Sequence, residues 1–200
     1  MKKKDKQALR QSLRERRKSL THAQQVAAAA ALFDLVSRQD FFLGSHRIAF
    51  YKKHDGEIDP QPLLRYALNS GKLCYLPVIS GNNSGQLAFA AVDNNTQLTG
   101  NQWGIDEPPL ETTIAPQSLD VVFVPLTGFS DEGYRLGMGK GFYDKTFAFR
   151  LTDQRARPAL VGLAYDCQLL ETVPATAQQA WDVPMDIVVT PSKIYRPGTA

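Results

Sequence analysis

Three short runs, Val121-Val122-Phe123-Val124, Ala159-Leu160-Val161-Gly162-Leu163 and Ile187-Val188-Val189, are apolar or small at every position. Successive side chains of a strand point to opposite faces of its sheet, so such a run must be covered on both. Strands of this kind lie inside parallel sheets, and a parallel sheet needs helices to cover it. Upstream, Arg47-Ile48-Ala49-Phe50-Tyr51 and Leu73-Cys74-Tyr75-Leu76 read as strands flanking a helix. That helix has Asp59 as its N-cap, Pro60 at its first position and Gly71 at its close. Asn82-Asn83-Ser84-Gly85 reads as a turn leading to a strand over Gln86–Val92, at a sheet edge. Two hundred residues bury an adequate core without disulfides. The expectation is one α/β domain over residues 1–200: an open, mainly parallel sheet flanked by helices, with a basic N-terminal helix. In such sheets ligands gather beyond the carboxyl ends of the strands, here the segments after Tyr51, Val124 and Leu163.

The N-terminal segment stands apart by charge. Residues 1–18 hold nine Lys/Arg against two acids, whereas residues 19–200 hold fourteen against eighteen. Leu9, Leu13 and Leu20 follow helical spacing, so residues 5–18 form an amphipathic helix. Lys6, Arg10, Leu13 and Arg17 share a second face, which aligns three cations. Thr21-His22-Ala23-Gln24 forms a capping box opening another helix, with Val26, Ala30 and Phe33 as its buried stripe. A basic arm can bind nucleic acid, or it can lend cations to an anionic ligand. The arm has no aromatic residue on which bases could stack and the remainder is acidic, which favours the second reading. Cys74 and Cys167 lie in apolar stretches and read as reduced thiols. His22, His46 and His54 have no metal-ligand spacing, so zinc chemistry is not expected. The basic start Met1-Lys2-Lys3-Lys4 lacks a following apolar h-region, and no run of about 18 apolar residues occurs. A cytoplasmic, monomeric protein without membrane or nucleic-acid partners is expected.

The stretch Arg135-Leu136-Gly137-Met138-Gly139-Lys140-Gly141-Phe142-Tyr143-Asp144 carries the chemistry. Glycines at alternate positions uncover backbone amides and permit the dihedrals of an anion-binding nest. A helix over residues 142–150 would add its positive end. Arg135 and Lys140 supply cations, and Asp144 a hard oxygen suited to Mg²⁺. A polyphosphate with its metal requires these groups. The loop is not a P-loop, since Tyr134 stands where the first glycine would be. Nor is it a dinucleotide fingerprint, because its third glycine comes one residue early.

The same stretch resembles the motif of the 5-formyltetrahydrofolate cyclo-ligase family, the methenyltetrahydrofolate synthetases. So do Lys6-x-x-x-Arg10, Asp55-Gly56-Glu57-Ile58-Asp59, Trp103-Gly104-Ile105-x-Glu107-Pro108 and Trp181-Asp182-Val183-Pro184-Met185-Asp186 through Ser192, in family order. The resemblance implies closure of 5-formyltetrahydrofolate to 5,10-methenyltetrahydrofolate with ATP and Mg²⁺, releasing ADP and phosphate. The partners it implies are ATP and a formyl-folate, which can carry a polyglutamate tail. By resemblance Lys6, Arg10, Arg135, Leu136, Gly137, Met138, Gly139, Lys140, Gly141, Phe142 and Tyr143 bind ATP. Arg135, Lys140 and Tyr143 act in catalysis, and Asp144 and Asp186 hold the metal. Lys52, Glu57, Trp103 and Tyr143 bind the folate. Members vary at the positions of Met138, Lys140 and Phe142, which gives Arg135, the glycines, Tyr143 and Asp144 more weight. Without the resemblance Glu57 reads equally as a solvated loop acid, and Trp103 as a core aromatic.

Overall fold

A computed structural model describes residues 3–79, 85–153, 157–171 and 178–198. The central sheet has eight strands, in the spatial order Ile194–Tyr195, Ile187–Val189, Ala159–Leu163, Val121–Pro125, Arg47–Ala49, Leu73–Ile79, Leu87–Val92 and Thr113–Ile114. Its five central strands, from Ile187–Val189 to Leu73–Ile79, run parallel. Antiparallel pairings add Ile194–Tyr195 at one side, and Leu87–Val92 followed by Thr113–Ile114 at the other. Strand Leu87–Val92 is therefore covered by a two-residue neighbour and does not form the edge. Residues 82–84 of the expected turn lie outside the described residues.

The three apolar runs occupy parallel strands, and their alternate residues enter two different cores. Val121, Phe123, Val161 and Val189 pack with Leu32, Val36 and Phe42 and with Leu63 and Leu64. These partners come from helices α2 (His22–Val36), α3 (Asp40–Leu43) and α4 (Gln61–Asn69). Val122, Val124, Leu160 and Val188 face the other side, against Phe129, Phe147 and Met185. Thr21 forms the expected capping box with Gln24. The buried stripe of α2 is Ala29, Leu32 and Val36, however, and Val26 is 55% exposed. The run of alanines from Ala27 to Ala31 gives that helix little contrast between faces, so tertiary contacts choose the stripe.

Helix α1 (Lys3–Lys18) lies against the loop that carries the glycines. Leu13 is buried with Tyr134, Leu136 and Leu170, and Leu9 packs beside them. Burying one such leucine contributes about 1.5–3 kcal/mol. The close approach needs Gly128, where an added Cβ would come within 2.6 Å of a Leu13 methyl. Packing therefore fixes the basic helix over the carboxyl edge of the sheet.

Candidate active site

The order of the strands reverses between Arg47–Ala49 and Val121–Pro125, and a cavity of about 920 Å³ opens beyond their carboxyl ends. Tyr51, Lys52, His54 and Glu57 enter it from the segment after the first strand. Pro77 and Ile79 come from the end of the second, and Pro125 from the end of the central one. Two of the three expected segments thus line the site. The third, after Leu163, supports it from behind. Gln168 Nε2 donates to the carbonyls of Leu126 and Thr127 at 2.8 and 2.9 Å, and Tyr165 Oη donates to the Glu57 carbonyl at 3.4 Å.

The glycine loop forms the opposite wall. Arg135–Leu136 pairs antiparallel with Gly128–Phe129, which brings the loop back over the central strand. Gly139 and Gly141 have φ of 101° and 70°, a region favourable to glycine. At Gly139 a side chain would also contact the Arg10 guanidinium, 3.5 Å away. Beyond the loop, helix α5 (Phe142–Thr146) lasts five residues before the chain tightens into a 3₁₀ turn at Ala148–Leu151. The expected helix over 142–150 is therefore not formed. So short a helix adds little dipole, and the positive field at this wall comes from side chains and loop amides.

Those side chains converge as the sequence motifs require. Arg135 is buried, donates to the Asp144 carboxylate and lies 5.9 Å from the Tyr143 ring centroid. Asp144 Oδ1 also accepts from the Val183 amide at 3.2 Å. Helix α1 brings Lys6 and Arg10 to the rim, where Arg10 Nε donates to the Gly137 carbonyl at 2.8 Å. Lys140 is exposed, its ammonium 5.8 Å from the Trp103 ring centroid. Trp103 itself is 37% exposed and meets Phe142 edge-on, so it is a wall of the cavity and not a core aromatic. All the residues read from the sequence as nucleotide or folate contacts line this one cavity.

Asp186 does not. Both its oxygens pair with Arg150, at 2.6 and 2.7 Å, and Oδ2 also accepts from the Leu160 amide at 2.6 Å. Leu160 lies near the amino end of its strand, at the sheet edge remote from the cavity, so Asp186 is a structural ion pair there. The cavity carboxylate beside Asp144 on the C-terminal motif is Asp182, whose Oδ2 is 3.9 Å from Lys6 Nζ. Among the described residues no three His, Cys, Asp or Glu side chains are grouped to hold a metal by themselves. Two carboxylates with phosphate oxygens suffice for Mg²⁺, which dehydrates reluctantly and is commonly held in this way.

Glu57 is buried beside Tyr51 and Tyr143. Burial pushes its carboxyl up to about 7, against the opposing pull of Arg17 and the His54 amide. Burial, with Glu57 adding to it, raises the Tyr51 hydroxyl well above its usual range, and Tyr51 donates to the Ile58 carbonyl at 2.8 Å. Burial and Glu57 likewise raise Tyr143, so both phenols stay protonated. The solvated-loop reading of Glu57 fails for this reason: its loop folds inward.

Two of the cavity residues without an assigned role in the sequence reading stand out. Asp182 and the 64%-exposed Trp181 both belong to the C-terminal motif, whose register alone could have pointed to them.

Residues 2–191 match the model of the 5-formyltetrahydrofolate cyclo-ligase family. The chain is 37% identical to the 5-formyltetrahydrofolate cyclo-ligase of Escherichia coli (strain K12), over 92% of this chain and 98% of that one. It is 35% identical to that of Haemophilus influenzae, over 92% and 96%. The solved structure of Aquifex aeolicus 5,10-methenyltetrahydrofolate synthetase superposes with a TM-score of 0.82 at 29% identity, covering 98% of this chain and 94% of that one. A synthetase from Mycoplasma pneumoniae shares the fold at 21% identity and a TM-score of 0.71.

Proposed function

The chain belongs to the 5-formyltetrahydrofolate cyclo-ligase family, and from that premise we propose that it converts 5-formyltetrahydrofolate to 5,10-methenyltetrahydrofolate using ATP and Mg²⁺, with release of ADP and phosphate. The observation that carries this reading is a single cavity with two unlike walls. One is cationic and glycine-lined (Arg135, Lys140, Lys6, Arg10), and the other offers Tyr51, Glu57 and Trp103. A volume of about 920 Å³ lies at the upper end of small-molecule sites. A polyphosphate on one wall and a flat reduced pterin on the other would meet across it.

The formyl oxygen on N5 is a poor leaving group. Its attack on the γ-phosphorus of ATP forms an O–P bond, breaks the bond to the ADP oxygen and leaves a phosphorylated imidate-like carbon. N10 then attacks that carbon and gives up its proton to solvent, the C–O bond breaks, phosphate departs with the electron pair and the five-membered ring closes. The protein needs to hold two ligands in line and offset the charge on the transferring group. Arg135 and the amides around Gly139 and Gly141 face that charge, and Lys6 and Arg10 take the outer phosphates. Asp144, with Asp182 next to the Val183 amide that binds it, would hold Mg²⁺, which would offset the charge of the phosphates. Glu57 as a carboxylate accepts from pterin N–H groups, and Trp103 and Tyr143 flank the ring. Five cations of helix α1 (Lys6, Arg10, Arg14, Arg17 and Lys18) face partners within the protein, which supports the ligand-binding role of that helix over a nucleic-acid arm. The test measures methenyl-folate and ADP together in one reaction. The reading requires one ADP per methenyl group and neither product without folate, and ATP turnover without folate would make the protein a different phosphotransferase.

A further inference from the structure

Arg17 is the largest fully buried side chain among the described residues, and its guanidinium meets three separate segments. Nε donates to the Asp55 carbonyl at 2.9 Å, and Nη2 to Asp55 Oδ2 at 2.8 Å. Nη1 donates to the Leu126 carbonyl, just past the central strand, at 3.3 Å and lies 3.9 Å from Glu57 Oε1. Nη2 also contacts Met138 Sδ in the glycine loop at 4.0 Å. Asp55 is in turn held by Arg14 at 2.6 Å and by Lys18. It is the one non-glycine residue with positive φ (51°) among the described residues. Backbone in that region is uncommon for a side-chain-bearing residue and persists only where its surroundings hold it.

One helix face thus clamps the start of the loop that presents Glu57, and the same guanidinium touches the loop facing the phosphates. A charge buried at this cost in desolvation is retained only with dense pairing. No phosphate-binding role explains Arg17, because it does not line the cavity.

We propose that Arg17 is a positioning residue for ring closure: through Asp55 it fixes the loop that carries Glu57, and it keeps the Glu57 carboxylate charged and aimed at the folate. The proposal rests on the reading of Glu57 as the acceptor for the reduced pterin. The groups facing Glu57 are Arg17 from helix α1, Asp55 and His54 from its own loop, Tyr51 from the strand before it, Tyr143 from the glycine loop and Tyr165 from beyond Leu163. Only Arg17 places a formal positive charge against the carboxylate within that set. Asp55, the one other carboxylate acting on it, opposes Arg17.

Opposite signs provide the test. The logarithm of kcat/KM for the formyl-folate is followed against pH at saturating ATP. In the unmodified protein, activity falls as pH drops through about 7, the value to which burial brings Glu57, and Glu57→Gln removes that inflection. Arg17→Gln moves it upward by about 1–3 units, the usual effect of losing an opposite charge within 4–6 Å. Arg17→Lys returns it part of the way. Asp55→Asn, which keeps a residue tolerant of positive φ, moves it downward. A residue that only supported the fold would not move the inflection in opposite directions. Should Arg17→Gln fail to fold, Arg17→Lys decides alone: an inflection displaced upward supports the role of Arg17, and an unmoved one refutes it. An inflection lost in Glu57→Gln but unmoved in both Arg17→Gln and Asp55→Asn refutes the role of Arg17 and spares that of Glu57. An inflection that survives Glu57→Gln overturns both.

Discussion

Replacing Arg135 and Lys140 separately tests how the glycine loop divides its work. Arg135 is held in place: buried, paired with Asp144 and lying against the Tyr143 ring. A preorganised charge of that kind typically contributes about 10²–10³ in kcat, or ~3–4 kcal/mol of barrier. Its removal also strands Asp144. Breaking a fully buried pair costs about 3–5 kcal/mol, but the Asp144 side chain keeps 18% of its surface in water, so the stability loss falls below that range. At about 2–4 °C per kcal/mol for a protein of this size, Arg135→Ala lowers Tm by several degrees. Lys140 is exposed, and its ammonium lies over the Trp103 face at 5.8 Å, a contact worth about 0.5–1 kcal/mol at an exposed site. Its flexible stem must be ordered afresh by each substrate. Lys140→Ala is therefore expected to cost about tenfold in kcat/KM, ~1.4 kcal/mol, with Tm unchanged. The assay is kcat/KM for both substrates in both variants, with Tm measured alongside, and Arg135→Ala should lose at least ten times more activity. Equal losses in the two variants refute this division of labour.

The two aspartates read as metal ligands should separate by turnover: Asp144→Asn nearly abolishes it, and also lowers Tm because the buried Arg135 loses its carboxylate. Asp186→Asn, which disrupts the Arg150 pair, lowers Tm while kcat stays within about twofold, and a large kcat loss without a Tm change would return Asp186 to the site. Glu57→Gln should stabilise the fold at pH 8 by about 3 kcal/mol. The sign follows from burial, which raises the folded carboxyl above its unfolded value, so the native state binds the proton more tightly and loses stability as pH rises from about 4.5 to about 7. Thermal melts of both proteins from pH 5 to 8 measure this, and a gap that does not close toward pH 5 would contradict it. Lys6→Ala should raise KM for ATP several-fold and leave the affinity for folate alone unchanged, as equilibrium binding of each ligand can show.

Much of this architecture was legible because elementary patterns were unambiguous. Runs such as Val121-Val122-Phe123-Val124 have no polar face, and a strand buried on both sides is the arrangement that satisfies them. Strand Leu73–Ile79 runs three residues beyond the expected Leu73–Leu76, through Pro77. Its parallel neighbour ends at Ala49, opposite Tyr75, so the missing N–H at Pro77 costs no ladder bond on that side. The helix after the glycine loop proved short because Phe142, Tyr143, Phe147 and Phe149 pack into the core beneath the cavity, and that demand outweighs helical continuity. Asp182 and Asp186 could not be told apart by spacing, since the four-residue interval carries the chain from the cavity to the opposite sheet edge. Arg17 was visible as one cation in a row of three, but its burial depends on Asp55 and Leu126, 38 and 109 residues away. Local pattern cannot reveal a contact of that kind.

The central claim is that the formyl oxygen is phosphorylated before the ring closes. It is tested most directly by supplying 5-formyltetrahydrofolate labelled with ¹⁸O in the formyl group, together with ATP and Mg²⁺, and weighing the inorganic phosphate released. The account predicts one ¹⁸O atom in each phosphate for every methenyl-folate formed. Label appearing in water, with unlabelled phosphate, would contradict it.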